Sequence, residues 1–175
     1  MSHAPRMRGH ALVIPAAILM ALTGFEVSAM SAPNYRWEVK GRVHIWVSDY
    51  EEVGDNEYCG KTFEFTHTGN GQLPQSHWWY LKCGGEVRAE IHYTLNNFLR
   101  SATIDPGEVK LYEGTSGDTR DLDGGYPIRL TIPEGKPVTK VFEVHNAMED
   151  EPEDAAKITI TWHKIPVRVI GRPSG

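Results

Sequence analysis

Cysteine is nearly absent from this chain: only Cys59 and Cys83 occur in 175 residues. Two thiols without a second nearby ligand pair make a poor zinc signature. A free buried thiol pair is the other alternative to a disulfide, and an oxidising exterior favours the disulfide. It would close a loop of about 25 residues, worth roughly 3 kcal/mol in the chain-entropy model. If the bridge forms, no thiol is left to act as a nucleophile.

Other absences exclude further classes. Six histidines follow residue 30 (His44, His67, His77, His92, His145 and His163), and no two have HExxH or HxH spacing. They read as ordinary surface or edge histidines, with His44 and His92 opposite the apolar faces of their strands. Ser76 and Ser116 lack a nucleophile-elbow context. No acid/base pair stands at a recognisable spacing, so the chain is read as non-catalytic. A basic excess is also missing, with 18 Lys and Arg against 23 Asp and Glu. That balance argues against nucleic acid as a partner.

Only one apolar run is long. Ala11 to Phe25 is apolar for fifteen residues, short for a membrane span, and follows Arg6 and Arg8. Val27-Ser28-Ala29 then offers small residues where a signal peptidase cuts. Residues 1–29 are therefore expected to be a signal peptide, with cleavage after Ala29 and Ser31 as the next choice. An exported protein, secreted or periplasmic, without a membrane span after cleavage is the expectation. Removing two bases and one acid leaves 16 bases and 22 acids, a net charge of −6.

What is present is period-two alternation, with no long helical period. Trp37, Val39, Val43, Ile45 and Val47 share one face of the first segment. KTFEFTH, HWWYLKC, EVRAEIHYTL, a less regular stretch from Phe98 to Glu113, YPIRLTI, VTKVFEV and KITITWHKI follow. Asp105-Pro106-Gly107 marks a bulge or turn inside the irregular stretch. About eight strands and one disulfide predict an all-β, antiparallel β-sandwich in a single domain over 34–170, with a closed barrel as the alternative. Residues 171–175 are expected to be a flexible tail.

The acids are bunched. Asp49, Glu51, Glu52, Asp55 and Glu57 form one group; Glu113, Asp118, Asp121 and Asp123 a second; Glu149, Asp150, Glu151, Glu153 and Asp154 a third. These hold 14 of the 22 acids beyond the leader, with Arg120 the one base among them. In a strictly up-and-down chain of eight strands the three groups follow strands one, five and seven. All would then lie at one end, together with Cys59 and Cys83, provided that the 98–113 stretch is one strand.

Converging carboxylates would call for a cation, and hard oxygen ligands select Ca²⁺. The sequence DTRDLDGG has part of that grammar, but Thr119 stands where an EF-hand has its first Asp and the later Glu is missing. Asp118, Asp121, Asp123, Asp55 and Asp150 are the candidate metal ligands. A solvated acidic turn whose Asp side chains cap backbone amides is the competing account. Trp78 and Trp79 are adjacent, so on a strand one faces in and one faces out. The outward ring, with Tyr80 or His77 nearby, is a candidate carbohydrate-stacking surface.

GEVKLYEGTSGDTRDLDGG, then PIRLTIPEGKPVTKVFEVHN and AKITITW, resembles secreted bacterial β-sandwich domains of no known function that carry an LYEG…S…DT…DLDG core. The likeness covers Glu86 to Trp162, about half the chain beyond the leader. It implies an exported all-β module and carries over no ligand. The resulting expectation is a secreted non-catalytic β-sandwich, read as a Ca²⁺-stabilised interaction module with an unknown protein or glycan partner. Carbohydrate or cell-wall binding through an exposed Trp is the alternative.

Overall fold

The computed structural model describes residues 35–51, 54–146 and 154–166. The expected signal peptide 1–29, Asp150 and the tail 171–175 lie outside the described residues. The strands are β1 (Arg36–Asp49), β2 (Glu57–Asn70), β3 (Gln75–Cys83), β4 (Val87–Asn97), β5 (Ser101–Tyr112), β6 (Leu122–Pro127), β7 (Leu130–Pro133), β8 (Pro137–His145) and β9 (Ala155–Lys164). They form two antiparallel sheets, one ordered β2-β1-β9-β8 and the other β3-β4-β5-β6, with β7 also on β5. The fold is the expected antiparallel β-sandwich.

Among the described residues nine strands appear where eight were expected, because the sixth is broken. β6 pairs with Glu108–Tyr112 and β7 with Ser101–Ile104 of the same β5. The break faces the irregularity predicted at Asp105-Pro106-Gly107, where the Asp105-Pro106 peptide is cis. Ile128 at the break donates its N–H to the Gly107 carbonyl at 2.7 Å. The 98–113 stretch is thus one strand, and the parity of the connections holds. The ends of β1, β5 and β8 and the starts of β2, β6 and β9 share one end of the sandwich.

Alternation places the core between the sheets. β4 buries Val87, Ala89, Ile91, Tyr93 and Leu95, while β9 buries Ala156, Ile158, Ile160 and Trp162. Ile45 pairs with Ile158 and Val43 with Ile160, so their side chains line one inner face. Trp37 and Trp162 are buried in this core. Each fully buried aliphatic side chain contributes about 1.5–3 kcal/mol relative to exposure.

The inward rows end on polar residues. Asp49 closes the row of β1, Asn97 that of β4 and Lys164 that of β9, and all three are buried. At the acidic end, Cys59 of β2 is bonded to Cys83 of β3, with Cα atoms 5.5 Å apart. The predicted disulfide therefore joins the two sheets across their open edge.

Candidate functional site

Among the described residues, β3 is an edge strand whose only ladder partner is β4. Its alternation turns His77, Trp79 and Leu81 toward the other sheet and Ser76, Trp78, Tyr80 and Lys82 outward. Ladder register sets Trp78 opposite His92, Tyr80 opposite Glu90 and Ser76 opposite Thr94. The outer face therefore carries an aromatic group bordered by hydrogen-bonding side chains.

Trp78 is 58% exposed and Tyr80 44%. Their rings lie 5.3 Å apart and within 12° of parallel; Trp78 and His92 lie 5.9 Å apart and within 11°. Leaving two large rings in water costs hydrophobic free energy that a ligand would recover. Beside Trp78 a groove of about 350 Å³ is lined by Ser76, His92, Thr94 and Glu108, among others.

Hydrogen bonds hold the rim of this face. Glu90 accepts from Arg88 Nε and pairs with His92 Nε2, each at 2.6 Å. Burial pushes the Glu90 carboxyl up, but the bonds from His92 and Arg88 outweigh it and hold it below its ordinary range. The remaining Arg88 donors reach the carbonyls of Gly117 and Thr119 at 2.7 and 2.8 Å. Its guanidinium also lies 4.5 Å from the Tyr112 ring centroid. One arginine thus pins the GTSGDTRD loop to the sheet.

That loop holds most of the predicted metal ligands, and each has a partner of its own. Asp118 is exposed and paired with Lys82, which holds its carboxyl below the ordinary range. Asp121 accepts from Thr119 Oγ1 at 3.3 Å. Asp123 caps the Glu113 N–H at 2.8 Å. Asp55 is exposed in the β1–β2 connection.

Among the described residues, no three carboxylates bring ligand atoms within 4.8 Å of one another; the one such group is Glu57 with Cys59 and Cys83. Those two sulfurs are spent in the disulfide, and metal binding needs thiolates. Of the described candidates, only Asp123 is seen capping a backbone amide.

The loops do meet, through other residues. The Tyr50 N–H donates to Asp154 Oδ1 at 2.7 Å, and Asn146 Nδ2 donates to Glu113. Asp49 is 3% exposed, and its Oδ2 has no hydrogen-bond partner among the described residues. Burial first, then Asp154, Glu51, Glu86 and Glu57, push its carboxyl up to about 6. Asp154 is also raised, by burial first and by Asp123 and Glu86, against bonds from Tyr50 and Glu113. Gly84 (φ 56°) in the β3–β4 turn leaves room for Asp49, since a Cβ there would stand 1.7 Å from Asp49 Oδ2.

Two histidines depart from expectation. His67 is buried, and His77 turns inward to stack on it instead of standing beside Trp78. Phe65, Trp79 and Tyr93 complete this inner aromatic cluster, so Trp79 belongs to the packing and Trp78 to the surface. Alternation through HWWYLKC already separates the two tryptophans. His92 joins Trp78 through ladder register, which a single strand's sequence does not carry.

No protein-family model matches the chain, and no curated protein matches it at significant similarity. The reading of the site rests on its geometry.

Proposed function

We propose that this protein is an exported carbohydrate-binding module that uses the outer face of β3 and β4. The observation that carries the reading is Trp78. Its indole is more than half exposed, aligned with Tyr80 and His92, and borders a groove lined by hydroxyl, imidazole and carboxylate groups. A sugar ring has an apolar C–H face and an equatorial belt of hydroxyls. The first packs on an exposed aromatic ring; the second needs donors and acceptors at the ring's border. Ser76, Thr94, His92 and Glu108 supply that border. Glu90 and Arg88 fix the His92 side of it before any ligand arrives, which limits the entropy lost on binding.

Affinity electrophoresis and tryptophan fluorescence over a panel of soluble and insoluble polysaccharides test this. Binding by at least one glycan is expected, lost in Trp78→Ala with the melting temperature retained. Trp79→Ala should instead destabilise the fold. Absence of binding across the panel, or full binding by Trp78→Ala, refutes the proposal.

A further inference from the structure

At the end of the sandwich opposite the disulfide, a buried lysine faces a buried asparagine across the two sheets. Lys164 ends β9 and is fully buried; Asn97 ends β4 and is 1% exposed. Lys164 Nζ donates to Asn97 Oδ1 at 2.6 Å. The carboxamide carbon lies one carbonyl bond, about 1.23 Å, beyond that oxygen. The Asn97 Nδ2 is buried without a hydrogen-bond partner among the described residues.

Two features make this a poor resting arrangement for an ion pair or a hydrogen bond alone. An ammonium has three donors and is costly to bury with a single neutral acceptor. An amide nitrogen buried without an acceptor adds a further penalty. Burial accordingly lowers the Lys164 pKa, favouring the neutral amine, while the Glu134 carboxylate acts in the opposite direction. Glu134 starts the β7–β8 turn and forms a backbone bridge with Lys164, so its carboxylate belongs to the same end.

We propose that Lys164 and Asn97 condense into an intramolecular isopeptide bond, with Glu134 as the proton carrier. The Nζ lone pair of the neutral amine attacks Asn97 Cγ, and the carbonyl electrons move onto Oδ1. Glu134 takes a proton from Nζ and gives it to Nδ2. The Cγ–Nδ2 bond breaks, ammonia leaves, and the carbonyl re-forms. One C–N bond replaces another, so neither oxidant nor cofactor is needed. The product replaces a buried amine and a buried primary amide with one neutral secondary amide.

The placement has a mechanical meaning. Cys59–Cys83 joins the sheets through β2 and β3 at one end. The isopeptide would join them through β9 and β4 at the other, closing 67 residues of chain. With both bonds in place the sheets are covalently tied at each end. This inference stands apart from the carbohydrate reading, since it uses neither Trp78 nor its face.

Intact-mass spectrometry of the purified chain, followed by peptide mapping, tests it. The expected mass is that of the sequence with its disulfide, less one ammonia. A branched peptide joining Lys164 to Asn97 is expected, with no tryptic cleavage after Lys164. Asn97→Asp should lose water in place of ammonia, and Lys164→Met should keep its full mass. Glu134→Gln should slow or prevent the link. The full unlinked mass in the wild type, or an ammonia loss mapped to a cyclised asparagine with Lys164 free, overturns the proposal. The wild-type mass decides even where a variant fails to fold.

Discussion

The imidazoles of His67 and His77 stack with their centroids 3.4 Å apart, between strands that belong to opposite sheets. His67 Nε2 also bonds the Tyr93 hydroxyl at 3.0 Å. Burial first, and His77 second, push the His67 pKa down to about 3; burial lowers His77 as well. Two stacked cations in this place would repel each other and lose hydration, so the fold favours the neutral form of both rings.

An acid-sensitive stability follows. A histidine near 6.5 when unfolded and near 3 when folded stabilises the fold fully above pH 6.5. That contribution is lost as pH falls from 6.5 toward 3, at up to about 1.4 kcal/mol per pH unit. In His67→Phe the loss assigned to His67 should disappear. Thermal melts from pH 8 to pH 4 should show the variant gaining on the wild type as pH drops; parallel curves would refute the assignment.

Asp49 works in the other direction. Its carboxyl is raised to about 6 from an ordinary 3.8, so its charged form opposes folding above pH 6 and the penalty vanishes below about pH 4. Asp49→Asn should raise stability at pH 7.5 by about 1–3 kcal/mol. The gain should fade between pH 6 and pH 4. Denaturant titrations at the two pH extremes measure it, and a gain that persists at pH 4 would assign the effect to something other than charge. In the wild type the Asp49 and His67 contributions offset each other between pH 6 and pH 4, so the variants reveal what the parent hides.

Calcium is tested by the same kind of measurement. A site filled to 100 times its dissociation constant adds about 2.7 kcal/mol. Because Asp118, Asp121 and Asp123 are each engaged separately, melting curves in millimolar Ca²⁺ and in chelator are expected to coincide. A clear rise in calcium would restore a metal site at the acidic end.

Much of the fold could be read along the chain. Val87 to Leu95 alternates without interruption, and the observed strand buries that row. The disulfide followed from cysteine scarcity, and the shared end of the strand termini that flank the acidic groups followed from counting strands. The site was half legible: alternation separated Trp78 from Trp79, but which of the two was solvent-facing depended on which side the second sheet lay. The partners of the acids were out of reach for a related reason. Sequence shows which loops are acidic, whereas Lys82 and Arg88, which organise the 113–121 loop, come from strands β3 and β4, about 30 residues earlier in the chain.

By itself, the sequence determined the all-β class, the period-two faces and the pairing of two lone cysteines, because these depend on neighbours in the chain or on elimination. Only the tertiary structure decided that Asp49 is buried, that His67 meets His77 and that Lys164 meets Asn97. Each of those contacts joins strands far apart in sequence, and its geometry is set by how the two sheets pack. A polar residue at the end of an inward row looks the same in the sequence whether it faces water or a partner across the sandwich.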